Sequence, residues 1–95
     1  MTARTRLVIN ADDFGISDGV SSGIEELAAA RRLSATGAIV TLRSWPQHAR
    51  RLSRLRPSLA IGLHINLTLG APLGPMPVMA PTGRLPALGA IVSAS

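Results

Sequence analysis

Asp12 and Asp13 stand side by side behind a short apolar run, Leu7-Val8-Ile9, in the segment Asn10-Ala11-Asp12-Asp13-Phe14-Gly15. Adjacent carboxylates repel each other and desolvate poorly, and a divalent cation relieves both penalties. The competing reading is a turn, because Asp and Gly are also turn formers. The apolar run reads as a strand buried on both faces, the kind found in parallel sheets. In such sheets ligands and chemistry gather at the carboxyl ends of the strands, which is where this run delivers its carboxylates.

A second segment offers a different donor. From Leu59 to Leu69 the chain alternates, with Leu59, Ile61, Leu63, Ile65, Leu67 and Leu69 on one side and Ala60, Gly62, His64, Asn66 and Thr68 on the other. Strand side chains repeat with a period of two, so one face is aliphatic while the other begins small and ends polar. The small residues leave space, and His64 and Asn66 would line a pocket mouth. A neutral imidazole nitrogen is a common ligand for transition metals. A strand histidine is also commonly a hydrogen-bonded core residue or a solvent-facing one.

The elements that must position these residues alternate in type. A strand over about Leu7 to Ala11 leads into the acidic loop. Ser17 or Asp18 caps a helix running to about Arg32, with Val20, Ile24 and Leu27 at helical spacing. Gly19 and Gly23 weaken that helix, and Gly23 admits close packing on the sheet. Ala35 to Leu42 gives a second strand. Pro46 suits the first turn of a second helix reaching about Leu55, with Ala49, Leu52 and Leu55 on one stripe and Pro57 as its stop. His48 is expected to be exposed in its first turn. Trp45 reads as a packing residue at the helix entry, with a sugar-stacking platform as the alternative. The third strand carries His64. Pro72, Pro75, Pro77, Pro81 and Pro86 then forbid a long helix or a central strand, and Ala87 to Val92 begins another helix. Strand, helix, strand, helix, strand predicts parallel right-handed units in an α/β fold.

Composition narrows the function classes. The net charge of +5 comes from ten arginines with no lysine. Arg50, Arg51, Arg54 and Arg56 form the dense cluster. No aromatic residues interleave it, which favours a solvated helix face over a nucleic-acid surface. There is no cysteine, which excludes disulfides and thiolate metal sites. No segment reaches the ~20 apolar residues that span a bilayer. The basic start, Met1 to Arg6, is followed by too short an apolar run for a signal peptide, so the expected location is cytoplasmic.

The segments Asn10-Ala11-Asp12-Asp13-Phe14-Gly15, Gly23-Ile24 and Gly62-Leu63-His64-Ile65-Asn66-Leu67-Thr68-Leu69-Gly70-Ala71-Pro72 together resemble, in order and spacing, the YdjC-like carbohydrate deacetylases. That family includes chitooligosaccharide deacetylases and the hopanoid-biosynthesis deacetylase HpnK. The resemblance implies the N-terminal part of a deformed (β/α) barrel of polysaccharide-deacetylase type, about three parallel strands with two intervening helices. Residues 1–95 then form a single incomplete domain, with a βαβαβ portion at 1–70 and a Pro/Gly-rich loop and helix start at 71–95. A closed barrel needs about 250 residues, so open sheet edges and self-association into a homo-oligomer are expected.

The resemblance also implies the chemistry: hydrolysis of the N-acetyl group of an amino sugar or oligosaccharide, without nucleic acid as a partner. It casts Asp13 and His64 as ligands of a divalent metal, Mg2+ or Zn2+, completed by a later His-rich segment that this chain does not reach. Asp12 becomes the general base, and Asn66 and Thr68 bind substrate or support His64. Ser22 stands where the family commonly has Asn, and Thr36-Gly37-Ala38 replaces a more Ser-rich strand; both departures read as peripheral to the chemistry. The alternatives are an inactive truncated fragment and a small Arg-rich nucleic-acid-binding module.

Overall fold

The computed structural model describes residues 3–94. Six elements follow along the chain: β1 (Asn10–Phe14), α1 (Asp18–Ala29), β2 (Ala35–Ala38), α2 (Trp45–Ser53), β3 (Ala60–Leu63) and α3 (Leu88–Ala94). The strands form one parallel sheet in the order β1-β2-β3. Parallel neighbours cannot be joined by a hairpin, so α1 and α2 serve as the crossovers. The expected α/β class, with three parallel strands and two intervening helices, is what the chain forms.

Strand boundaries are shorter than the sequence suggests, and β1 is shifted. The run Leu7-Val8-Ile9 precedes the strand, and Leu7 and Val8 are 74% and 81% exposed. A strand is defined by its partner, and β2 begins at Ala35, opposite Asn10. Ser34 caps this end: Ile9 N–H donates to Ser34 Oγ at 3.1 Å, and Ile9 C=O accepts from Ser34 N–H at 2.9 Å. Residues before Ile9 run past the sheet. The expectation of a strand buried on both faces is therefore corrected for this run.

α1 starts where expected. Ser17 is extended, and its hydroxyl accepts from Val20 N–H at 3.2 Å, satisfying one of the orphan donors of the first turn. It ends three residues earlier than Arg32, because Arg31 turns left-handed at φ 58°. Arg31 N–H then bonds Ala28 C=O at 3.0 Å and Arg32 N–H bonds Leu27 C=O at 2.9 Å, the pair of bonds that closes a Schellman motif. Gly23 does not serve close packing, because a β-carbon there would have nothing within 4 Å.

The core lies between one sheet face and the two crossover helices. Phe14, Ile24, Ala38 and Leu52 are buried together, with Ala11, Leu33, Val40, Trp45 and Leu55 packed against them. Trp45 is thus a packing residue. His48 corrects the exposed assignment: it is 1% exposed. Its spacing to Leu52 and Leu55, at i+4 and i+7, puts it on the inward stripe of α2.

The opposite sheet face is open. Strand pairing aligns Asn10 with Ala35 and Ala60, and Gly37 with Gly62. This face therefore has a floor of small residues, bordered by the polar side chains at the ends of β1 and β3.

Candidate active site

β1 ends irregularly. Ala11 pairs with Thr36, but Phe14 pairs with Ala38, so three steps on β1 match two on β2. One residue is extra, and the ladder bulges. Asp13 takes up the irregularity at φ 71°. A left-handed non-glycine residue costs about 1–3 kcal/mol, and such strain concentrates at functional sites. Without the bulge, adjacent residues would point to opposite faces. With it, Asp12 stays on the open face and Asp13 swings round to the strand end.

The turn is held from behind. Phe14 is fully buried, and Ile39 N–H donates to Phe14 C=O at 2.9 Å. Gly15 N–H donates to the buried Ser21 hydroxyl at 3.0 Å, and Ile16 N–H to Asp13 C=O at 3.0 Å. Gly15 sits at φ 96°, and a β-carbon there would lie 3.0 Å from Ile39 O. Backbone conformation and crowding both require glycine.

His64 follows β3, and its N–H continues the ladder to Ala38 C=O at 2.9 Å. Its Nδ1 lies 3.1 Å from Asp13 Oδ1. The contact is not aligned as a hydrogen bond, and Nδ1 is a solvent-inaccessible atom with no hydrogen-bond partner. Two ligands at ~2.0–2.2 Å from one zinc-type cation stand roughly 2.8–3.6 Å apart for angles between 90° and tetrahedral. The pair fits that spacing, and an orphaned nitrogen beside a carboxylate suits two donors converging on a third atom. Among the described residues, no three His, Cys, Asp or Glu side chains gather as a metal site.

Asp12 stands across Gly37 from His64 on the open face. A β-carbon at Gly37 would lie 3.3 Å from His64 Cβ and 3.9 Å from Asp12 Oδ1. Gly37 is thus the gap between the base candidate and the ligand candidate, and central where the sequence made it peripheral. Asn10 Nδ2 donates to Asp12 Oδ1 at 2.9 Å, which orients the carboxylate. A recess of about 620 Å³ opens here, lined by Asp12, Gly37, Gly62 and His64 among others. His64 also borders a cavity of about 370 Å³ formed with Asn66 and the proline-rich stretch through Pro72, Leu73 and Met76, within the size range of ligand pockets. That stretch is an ordered wall, anchored by Leu85 N–H to Gly70 C=O at 2.7 Å.

Asn66 is fully engaged within the chain. Its Nδ2 donates to Thr41 Oγ1 and to Leu69 C=O, both at 2.6 Å, and its Oδ1 accepts from Thr68 N–H at 3.1 Å and Leu69 N–H at 3.0 Å. This ends β3 and orders the loop beside His64, leaving Thr68 exposed.

The arginine cluster divides. Arg51 leaves it to bridge the helices, donating to Glu25 Oε1 at 2.6 Å, Ser22 Oγ at 3.1 Å and Asp18 Oδ1 at 3.1 Å. Ser22 is therefore a helix–helix contact. Arg50, Arg54 and Arg56 remain exposed. Among the described residues no helix is long and apolar enough to cross a membrane.

These features coincide with those of known proteins. The chain is 46% identical over 79 residues to a chitooligosaccharide deacetylase of Klebsiella pneumoniae (strain 342) and 44% identical over 79 residues to one of Enterobacter sp. (strain 638). Each match covers 83% of this chain and 31% of the relative, so the chain spans about a third of the curated relatives' length. The crystal structure of an Enterococcus faecalis V583 protein, described as a candidate for cellobiose-phosphate cleavage, superposes with a TM-score of 0.70 at 30% identity. That superposition covers 90% of this chain and 35% of the other. The three-stranded parallel unit is accordingly part of a barrel. A family model described as YdjC-like protein matches residues 6–92, and with the bulged acidic strand end and the facing histidine in place, the chain belongs to the YdjC-like family.

Proposed function

We propose that the protein hydrolyses the N-acetyl group of an amino-sugar-containing carbohydrate, and that this chain carries part of the active site. Asp13 and His64 would hold a divalent cation, Mg2+ or Zn2+, with a further ligand from outside the described residues. The observation that carries the reading is the orphaned His64 Nδ1, 3.1 Å from Asp13 Oδ1, with Asp12 across Gly37 on the same face. The deacetylase relatives support an N-acetylated oligosaccharide as the substrate class.

When bound, the cation supplies polarisation of the amide carbonyl and a more acidic water. Asp12 takes the proton from the attacking water as general base and returns it to the leaving amine. The bond from Asn10 leaves Asp12 Oδ2 free for that proton. The glycine and alanine floor gives the acetamido group room to approach His64 and Asp12. Asn66 orders the loop that presents Thr68 to the sugar.

In a full-length version of the enzyme, Asp12→Asn should lower acetate release from N-acetylglucosamine oligomers by roughly 10²–10⁴-fold. Its cation affinity, measured by calorimetry, should stay within a few-fold of wild type. Asp13→Asn should weaken that affinity by at least tenfold. Equal loss of cation binding in both variants would show that the division between base and ligand is wrong.

A further inference from the structure

His48 lies on α2, outside the acidic segment and the His64 segment, and is buried behind the acidic turn. Its ring meets Phe14 edge-on, with centroids 6.1 Å apart and planes at 77°. Its Cβ lies 3.8 Å from where a β-carbon of Gly15 would be. Phe14 and Gly15 directly follow Asp13, the residue held at φ 71°. On its far side, His48 Nε2 is 3.0 Å from Oδ1 of Asp18, the first residue of α1. Arg51, one turn along α2, reaches the same Asp18 oxygen at 3.1 Å. Asp18 thus receives both, and α1 in turn holds Gly15 N–H through Ser21 Oγ at 3.0 Å.

His48 is a poor choice for packing alone. Its Nδ1 is buried without a hydrogen-bond partner, whereas a leucine would fill an apolar core with no polar atom to satisfy. What the imidazole adds over leucine is the polar tie to Asp18, delivered from a ring that also wedges against Phe14 and Gly15. Resting on the reading of Asp13 as a cation ligand, we infer that His48 is a positioning residue: it wedges the Phe14-Gly15 turn against the start of α1 and so holds Asp13 in its left-handed, ligand-ready conformation.

The groups facing His48 define the controls. His48→Leu keeps the volume and removes the tie, and His48→Gln keeps a side-chain amide able to reach Asp18. The test is made on the full-length protein. Amide hydrogen exchange is followed at Gly15 and Ile16, with the β2–β3 ladder as internal reference, and zinc affinity is followed by calorimetry. His48→Leu should speed exchange at Gly15 and Ile16 by at least tenfold while the β2–β3 amides and the thermal midpoint hold. Zinc affinity should fall by about 10–100-fold, the range seen when the support of a metal ligand is lost. His48→Gln should recover most of both. Unchanged exchange at Gly15 and Ile16 in His48→Leu would overturn the inference, as would uniform loss of protection across the sheet. Wild-type protein that binds no zinc would instead count against Asp13 and His64 as ligands, and the exchange result would still decide whether His48 holds the turn.

Discussion

At the scale of single residues, the proposed site rests on Asp12, Asp13 and His64 and on the gap left by Gly37. The Asp13–His64 pairing was legible because acidic and polar strand ends in a parallel sheet share a rim. The importance of Gly37 was not, because a glycine in a strand carries no chemistry of its own and its value lies in what faces it. The neighbour 3.3 Å from a β-carbon at Gly37 is His64 Cβ, which is fixed by the β3 backbone and has little freedom to yield. Gly37→Val should therefore push His64 away from Asp13. We expect at least a tenfold loss of cation affinity, measured by calorimetry, with the helix content by circular dichroism retained. Wild-type affinity in that variant would show that the gap is unimportant. His48 was misread for a related reason. A polar residue in a first turn is ordinarily exposed, and only the i+4, i+7 spacing to Leu52 and Leu55 signals otherwise.

At the scale of elements, the sequence indicated the order of the described helices and strands, and pairing decided where the strands begin and stop. Leu7-Val8-Ile9 reads as a strand by composition, but Ser34 caps it at Ile9 and the strand pairing begins only at Asn10. The β3 pattern continues in alternation to Leu69 on paper, and the four hydrogen bonds of Asn66 turn the chain aside after His64. A polar residue read as a site candidate is also the stop signal. α1 carries a weakness that packing does not explain. Gly23 is in its interior and approaches nothing within 4 Å, so Gly23→Ala should stabilise by about 0.5–1 kcal/mol through reduced backbone entropy. For a chain of this size that is a rise of several degrees in thermal midpoint. A fall would reveal a contact that helix propensity does not capture.

At the scale of the whole molecule, the chain spans about a third of the length of its curated relatives, and its sheet has two open edges. Its radius of gyration is 16.5 Å, against about 12 Å for a compact domain of this length. Leu63 and Ile65 are 64% and 71% exposed, as are the apolar residues ahead of β1. β1 and β3 are both edge strands. Exposed apolar surface and open edges are templates for pairing. The 95-residue polypeptide by itself should sediment as concentration-dependent oligomers, and a monomer across the micromolar range would contradict this. The same polypeptide should release acetate far more slowly than the roughly 1 per second of ordinary enzymes, because in the proposed site Asp13 and His64 would supply two ligands where a catalytic zinc-type site usually has three.

The extra residue in β1 has a consequence for how such a site arises. The pairing of Ala11 with Thr36 and of Phe14 with Ala38 would be regular if Asp13 were absent. Asp12 would then stand opposite Gly37 with its outward direction kept, and Phe14 would keep its place in the core. Asp13, the proposed cation ligand, is thus an extra residue in an otherwise continuous ladder. Deleting Asp13 should relieve the strained φ while forfeiting the Ile16 turn bond, two effects of similar size and opposite sign. The shortened chain should unfold within a few degrees of the parent and bind zinc no better than Asp13→Asn. If it failed to fold, the bulge would be part of the scaffold and not a removable addition to it.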